Sequence, residues 1–334
     1  MTAAKRTARD LEALIPAEEK KLAPKRRQPA WFTPTLATLT ETYFSDPEWI
    51  FEPKLDGVRC LVFKKGNKVR LLSRNQLSLD DRYPEIKRAV EGLECDELIL
   101  DGEAAIATQG VTSFQSLQRH LLEGGKAGSL ALFAFDIPFA LGRDLRKLPV
   151  LTRKRVLEAL VPTGKHISVV HHVVEDGEQM LEQACAKGWE GIIAKRAAAP
   201  YATGRSKDWL KFKCSKEQEL VIGGFTDPQG ARIGFGALLM GYYEDGELHY
   251  AGKVGTGYNA ALLRALTERM TAIEEPESPF AGKPPVRKAV HWVRPELVAQ
   301  IGFSEWTRDG RLRHPRFLGL RDDKPASEVV RESV

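Results

Sequence analysis

The texture of the chain changes near Lys213, and that change limits what the chain can fold into. Before it, short apolar runs alternate with helical patterns. Arg59 to Phe63 and Lys68 to Ser73 read as a hairpin about the turn Lys65-Gly66-Asn67. Tyr83 to Val90 reads as a short helix, and Glu97 to Ala107 and Leu130 to Asp136 as strands. Arg153 to Leu160 and Gly177 to Lys187 read as amphipathic helices, and Gly191 to Lys195 as another buried strand. After it, Leu220 to Phe225, Gly236 to Tyr243, Leu248 to Val254 and Trp292 to Phe303 are strand candidates with glycine-rich turns. One helix, Asn259 to Ile273, interrupts them. Several short strands and one helix in roughly 120 residues suggest a small closed barrel of the OB-fold type.

Two domains also follow from the length of 334 residues. The expected division is 29–214 and 215–334, with order beginning near Pro29-Ala30-Trp31-Phe32. Residues 1–28 are basic: Lys5, Arg6, Arg9, Lys20, Lys21, Lys25, Arg26 and Arg27 outnumber the acids there. They are expected to form a solvated, disordered leader. Hydrophobic content of 43% leaves enough apolar residues for a sizeable core. Lys+Arg 50 against Asp+Glu 45 is a mild excess, which permits a polyanionic partner without demanding one. No stretch is apolar enough to span a bilayer, and Met1 to Asp10 lacks the apolar segment of a secretory signal. Cys60, Cys95, Cys185 and Cys214 contain no Cys-x-x-Cys pair, so reduced cysteines in a cytoplasmic protein without a zinc site are expected. His171 and His172 point to opposite faces of any strand and read as ordinary polar residues.

The chemistry is concentrated in Glu52-Pro53-Lys54-Leu55-Asp56-Gly57-Val58-Arg59. A lysine before an Asp-Gly turn, between apolar strands, is held at a sheet edge and points into a cleft. A neutral amine there can attack phosphorus and keep a nucleotide as a covalent phosphoramidate. In water only about one lysine in a thousand is neutral at physiological pH, so neighbouring cations or desolvation are needed. On a strand, Trp209, Lys211 and Lys213 share one face, and Lys195 ends the buried run Glu190 to Lys195. Three lysines near a triphosphate would neutralise it and depress the pKa of Lys54; Lys211 and Lys213 also fit a solvated edge strand. Glu103 and Glu190 flank or interrupt apolar strands, where a charge is costly without a purpose. Such carboxylates hold a divalent cation or a ribose hydroxyl. Phe135, in Phe133-Ala134-Phe135-Asp136, serves either as an aromatic face for a purine or as core.

Taken together, these runs resemble the covalent nucleotidyltransferase superfamily of ATP-dependent DNA ligases, RNA ligases and mRNA capping enzymes. Lys54 to Arg59 is similar to its lysine-nucleophile motif, and Ser73-Arg74-Asn75 to the motif whose arginine contacts DNA or the 3′ side of a nick. Asp101-Gly102-Glu103 resembles the ribose and metal motif, and Phe133 to Asp136 the adenine-stacking one. Glu190-Gly191 with Lys195, and Trp209 to Lys213, resemble the metal-glutamate and phosphate-lysine motifs. Tyr250 to Tyr258 and Arg313 to Lys324 are similar to C-terminal signatures of ATP-dependent DNA ligases of the bacterial ligase D type. One Lys-x-Asp-Gly is a weak signal; six motifs in order over residues 52 to 213 are a strong one.

The resemblance implies an α+β architecture, an ATP-grasp-like nucleotidyltransferase domain followed by an OB-fold, and an ATP-dependent ligase using Mg²⁺ or Mn²⁺. Lys54 would be the nucleophile. Glu52 would read the adenine amino group, and Phe135 would stack the base. Arg59 and Glu103 would hold the sugar side, and Arg74 the DNA. Lys195, Lys211 and Lys213 would hold phosphate oxygens. Glu103 and Glu190 would bind metal, and Arg321 and Lys324 would orient the leaving pyrophosphate. The implied partner is nicked or broken double-stranded DNA, in repair that includes non-homologous end joining. A Ku-like end-binding protein and a separate polymerase are the implied protein partners of a monomer at the nucleoid. The alternatives are an RNA ligase or capping-type enzyme, and a non-catalytic OB-fold protein that binds nucleic-acid ends. No polymerase or nuclease domain, and no large helical DNA clamp, is read in these residues.

Overall fold

In the computed structural model the chain divides after Cys214 into two compact units. Residues 7–332 are described, except 109–110, 113, 123–128, 215, 229, 231, 287–288 and 308. The strands of the first unit are β1 Thr35–Leu39, β2 Asp46–Pro53, β3 Val58–Lys65, β4 Lys68–Ser73, β5 Glu97–Thr108, β6 Val111–Thr112, β7 Leu130–Ala140, β8 Arg143–Asp144, β9 Ile167–Val169, β10 Val173–Glu175, β11 Gly191–Arg196 and β12 Gly204–Lys213. Its helices are α1 Ala8–Leu14, α2 Pro84–Glu91, α3 Phe114–Leu122, α4 Val150–Leu160 and α5 Gly177–Ala186. One sheet has the order β1-β12-β11-β2-β10, the other β4-β3-β5-β7-β8 with β6 on β5 and β9 on β7.

Strand alternation gives each sheet two apolar faces. The inner faces meet through Leu61, Phe63, Ile99, Phe135, Phe139, Tyr201 and Trp209. On the outer face of the first sheet, Phe51, Ile192, Ala194 and Phe212 pack against Leu181 and Ala184 of α5. On the outer face of the second, Val62, Leu100 and Leu132 join Ile86 of α2 and Val156 of α4 in the largest core. β2 belongs to the first sheet and β3 to the second. The chain therefore crosses between sheets at Lys54-Leu55-Asp56-Gly57.

Two expectations fail here. The leader is not a loose tail: within residues 7–28, Leu11, Ile15 and Ala23 are buried in the main core. Arg143 pairs with Glu12 and donates to the Ala23 carbonyl at 2.8 Å, and the Gln28 amide donates to the Lys64 and Leu98 carbonyls. A few apolar side chains spaced along a basic segment were enough to dock it; residues 1–6 lie outside the described residues. The four cysteines are not all thiols either. Cys185 and Cys214 form a disulfide, while Cys60 and Cys95 are free and buried. Their separation of 29 residues in sequence hid a proximity created by α5 packing on the sheet.

The second unit, Ser215–Ser333, contains β13 Lys216–Thr226, β14 Leu238–Glu244, β15 Glu247–Val254, α6 Ala260–Thr271, β16 Glu274–Glu275, β17 Val290–Val293, β18 Val298–Phe303, β19 Glu305–Trp306, β20 Leu312–Arg313 and β21 Arg316–Leu320. β13 is its spine. One edge pairs with β14, and the other changes partner from β18 along Lys216–Val221 to β17 at Gly224–Thr226. The strand content is that expected of an OB-fold, although no pairing among the described residues closes the sheet on itself. The single strand expected over Trp292 to Phe303 is two, because Pro295 lacks a ladder donor and breaks the run. No helix among the described residues is long and apolar enough to cross a membrane.

Candidate active site

The crossing between sheets is built tightly. The Lys54 N–H donates to the Gly191 carbonyl at 2.9 Å, which extends the β2–β11 ladder by one residue. Two residues on, the Asp56 N–H donates to Thr112 Oγ1 at 2.9 Å. A Cβ on Gly57 would lie 2.4 Å from the Ala104 carbonyl oxygen, so only glycine lets the turn close against β5. Gly191 is constrained likewise: its φ is +149°, and a Cβ would lie 2.0 Å from the Phe212 carbonyl oxygen. Lys54 lines a cavity of about 240 Å³ together with Leu55, Phe133, Val170, His171 and Trp189. Its ammonium is ion-paired with Glu190. The candidate nucleophile thus touches one of the two candidate metal carboxylates.

Register sets the rest of this wall. Glu52 stands opposite Ile193, which stands opposite Lys211; Gly191 stands opposite Lys213, and Lys195 opposite Trp209. Glu52, Lys195, Lys211 and Lys213 therefore share the face that turns toward the second sheet. Glu52 is 2% exposed and lies between two ammonium groups, Lys195 at 2.6 Å and Lys154 of α4 at 2.7 Å. Burial alone would raise its pKa; Lys154 and Lys195 outweigh it and hold the carboxyl below its ordinary range. Burial lowers the pKa of Lys195 and Lys154 pushes the same way, against the opposing pull of Glu52.

Lys195 was expected on a phosphate. It is instead 1% exposed, with its Nζ 4.1 Å from the Trp209 ring centroid and 4.6 Å from that of Phe135. Its register places it deep in the sheet, where an ammonium needs Glu52 as partner. Lys211 and Lys213 are half-buried.

The second sheet supplies the facing wall. Arg59, Glu103 and Phe133 form one row across β3, β5 and β7. The Arg59 guanidinium grips Asp101 through two hydrogen bonds of 2.5 Å and also donates to the Thr35 carbonyl. The Tyr201 hydroxyl donates to the same carboxylate at 2.5 Å. Burial would lower the arginine's pKa, but Asp101 raises it beyond its usual value. Arg59 is therefore a brace of the wall before it is a ligand. Phe135 is 9% exposed, with the Arg59 guanidinium 4.6 Å from its centroid, while Phe133 is the ring that lines the cavity. Arg74 stands in the turn after β4, where Ser73 Oγ accepts the Leu77 N–H at 3.1 Å. It is not among the residues that line the cavity.

Arg321 and Lys324 belong to the second unit. Arg321 holds Asp323 at 2.9 Å and Glu219 at 3.5 Å, and Lys324 pairs with Glu219. Among the described residues no three His, Cys, Asp or Glu side chains converge as a ready metal cage. Two members of the site escaped the sequence reading. Lys154 lies in an ordinary helix pattern, and its only signal is the Arg153-Lys154 pair on an apolar helix. His171 lines the cavity although it reads as an ordinary polar residue.

Residues 34–213 match the family model described as ATP dependent DNA ligase domain, and residues 231–324 match the ATP dependent DNA ligase C terminal region. The multifunctional non-homologous end joining protein LigD of Pseudomonas aeruginosa is 39% identical over 331 residues, covering 96% of this chain and 39% of that protein. The LigD repair protein of Mycobacterium tuberculosis is 39% identical over 290 residues, covering 85% of this chain and 38% of its own length. The chain thus spans about two fifths of the length of these relatives. A solved structure described as mycobacterial DNA ligase D complexed with ATP and MES is 36% identical, with a TM-score of 0.67 over 90% of this chain and 98% of that one.

Proposed function

The chain belongs to the ATP-dependent DNA ligase family, and from that premise we propose that it seals 5′-phosphate and 3′-hydroxyl ends in duplex DNA through a lysyl-AMP intermediate. The observation that carries the reading is the position of Lys54. It stands where the chain passes between the two sheets, lining a cavity with Phe133 on the facing wall. Neutral Lys54 attacks the α-phosphate of ATP; the N–P bond forms as the bond to pyrophosphate breaks. The AMP then passes to a DNA 5′-phosphate, and the 3′-hydroxyl displaces it.

The ion pair with Glu190 stabilises the ammonium form of Lys54. Engaging that carboxylate elsewhere would favour loss of the proton and free the amine to attack. Glu103 and Glu190 offer hard oxygen donors suited to Mg²⁺ or Mn²⁺, which would neutralise charge on the phosphates. Glu52, fixed by Lys154 and Lys195, would accept from the adenine amino group, and Phe133 joins Phe135 as the aromatic face. Lys211 and Lys213 would contact phosphate oxygens, and Arg74 the DNA. Arg321 and Lys324 would leave Glu219 and Asp323 to orient the pyrophosphate. A ligase that takes ATP and DNA would work in the cytoplasm at the nucleoid. The relatives' names favour end joining; a Ku-like partner and a separate polymerase belong to the same proposal, carried by the motif resemblance alone.

Nick sealing tests the substrate. With ATP and Mg²⁺ or Mn²⁺, a nicked DNA duplex should be joined. Joining confined to RNA strands, or dependent on GTP, would replace this reading with an RNA ligase or capping-type one.

A further inference from the structure

The disulfide lies on the catalytic hairpin. Cys185 is on α5, while Cys214 follows Lys213 directly and is the last residue of the first unit. The bond closes a loop that contains Glu190, Lys195, Lys211 and Lys213. Its ends are stitched to the site: the Cys214 N–H donates to the Glu190 carbonyl at 3.0 Å, and the next residue, Gly191, accepts from the Lys54 N–H. Cys185 is exposed and Cys214 half-buried, so the bond lies at the surface of the unit and not in its core. The other two cysteines are fully buried, and burial pushes both thiols up, Cys60 to the greater extent. They are therefore poor partners for exchange. If the chain is a ligase, as proposed, it works beside ATP and DNA, where thiols are kept reduced. A surface disulfide in such a compartment is more often a redox device than a permanent staple.

We infer that Cys185 and Cys214 form a reversible thiol modification site. Its oxidation to the disulfide locks the Glu190–Lys213 hairpin in its productive register; its reduction loosens it. The oxidant is a low-molecular-weight disulfide. The Cys185 thiolate attacks one sulfur of that disulfide and expels one thiolate. The Cys214 thiolate then attacks Cys185 Sγ in the mixed disulfide and expels the second. Two protein thiols lose two electrons and two protons in all, and the small disulfide becomes two thiols.

The full chain is equilibrated in mixtures of reduced and oxidised glutathione. Differential alkylation reads the cysteines, and hydrogen exchange reads the Lys54 and Cys214 amides. Cys185 and Cys214 should titrate together as one couple while Cys60 and Cys95 remain thiols. Both amides should exchange more slowly in the oxidised form. Transfer of labelled AMP to Lys54 should be about tenfold faster oxidised than reduced, because small misplacements of phosphate ligands are costly. Cys185→Ser should show the reduced-state rate at every glutathione ratio. Cysteines that never pair, or exchange and labelling identical in the two forms, overturn the inference. Slowed exchange with no label in either form upholds the thiol pair and counts against the ligase reading instead.

Discussion

Glu52 keeps its charge at 2% exposure only because Lys154 and Lys195 both reach it. Asp136 is held the same way by Arg153, at 2.7 and 2.9 Å. Burial would raise each carboxyl, and the cations more than reverse it, so both have folded pKa values below the ordinary range. Groups depressed in the folded state contribute stability that is complete above their unfolded values, about 4. That contribution is lost as pH falls through the lower folded values. Thermal unfolding followed from neutral pH to about pH 2 should therefore show a steep acid limb. Glu52→Gln and Asp136→Asn should flatten that limb while lowering stability at neutral pH. Lys154→Met should destabilise by about 3–5 kcal/mol, as breaking a buried pair does, and raise the KM for ATP more than it lowers kcat. Lys154→Arg should recover part of both. The sequence named Glu52 and Lys195 because they stand in recognisable runs. It put Lys195 on a phosphate because depth along a strand is a property of register, and it missed Lys154 because a helix lysine carries no mark of its partner.

Among elements, those that rest on local chemistry were legible. The hairpin of β3 and β4, helix α2 and helix α6 fall where turn residues and periodicity put them; the Asn259 side chain accepts the Leu262 N–H as the cap of α6. What escaped depends on distant partners. Helix α1 is polar enough to read as a tail, yet Leu11 is fully buried in the main core. Leu11→Ala should cost about 2–5 kcal/mol in chemical unfolding, as a core truncation does; a tail would show no change. The His291 clasp is equally nonlocal. His291 of β17 meets Asp227, just after β13, at 3.0 Å and Glu274 of β16. Its bond to Asp227 raises its pKa, against a smaller effect of burial. The clasp's contribution is therefore full below about pH 6.5 and fades as pH rises through the higher folded value. It should be at most about 1 kcal/mol at this exposure. Midpoints of urea unfolding should fall across that window, and His291→Gln should remove the slope.

Across the whole molecule, the proposed chemistry is divided between two units. The proposed nucleophile and the lysines beside it stand in the first, and Arg321 and Lys324 in the second, already satisfied by Glu219 and Asp323. Replacing both with alanine should slow the reaction of Lys54 with ATP. It should spare the later sealing of a nick by protein that already carries AMP, since pyrophosphate has left by then. Equal loss in both assays would remove the leaving-group role. The assignment of these residues to two units was visible in the order of the sequence runs; the partners that hold the two cations were not, because Glu219 lies 102 residues before Arg321. The central claim concerns Lys54. Incubation with α-labelled ATP and Mg²⁺, followed by denaturation and peptide mapping, should place the label on Lys54 through an acid-labile bond. Lys54→Ala should take up none. Label on Lys54→Ala protein, or on any other residue of the unaltered chain, would contradict the account.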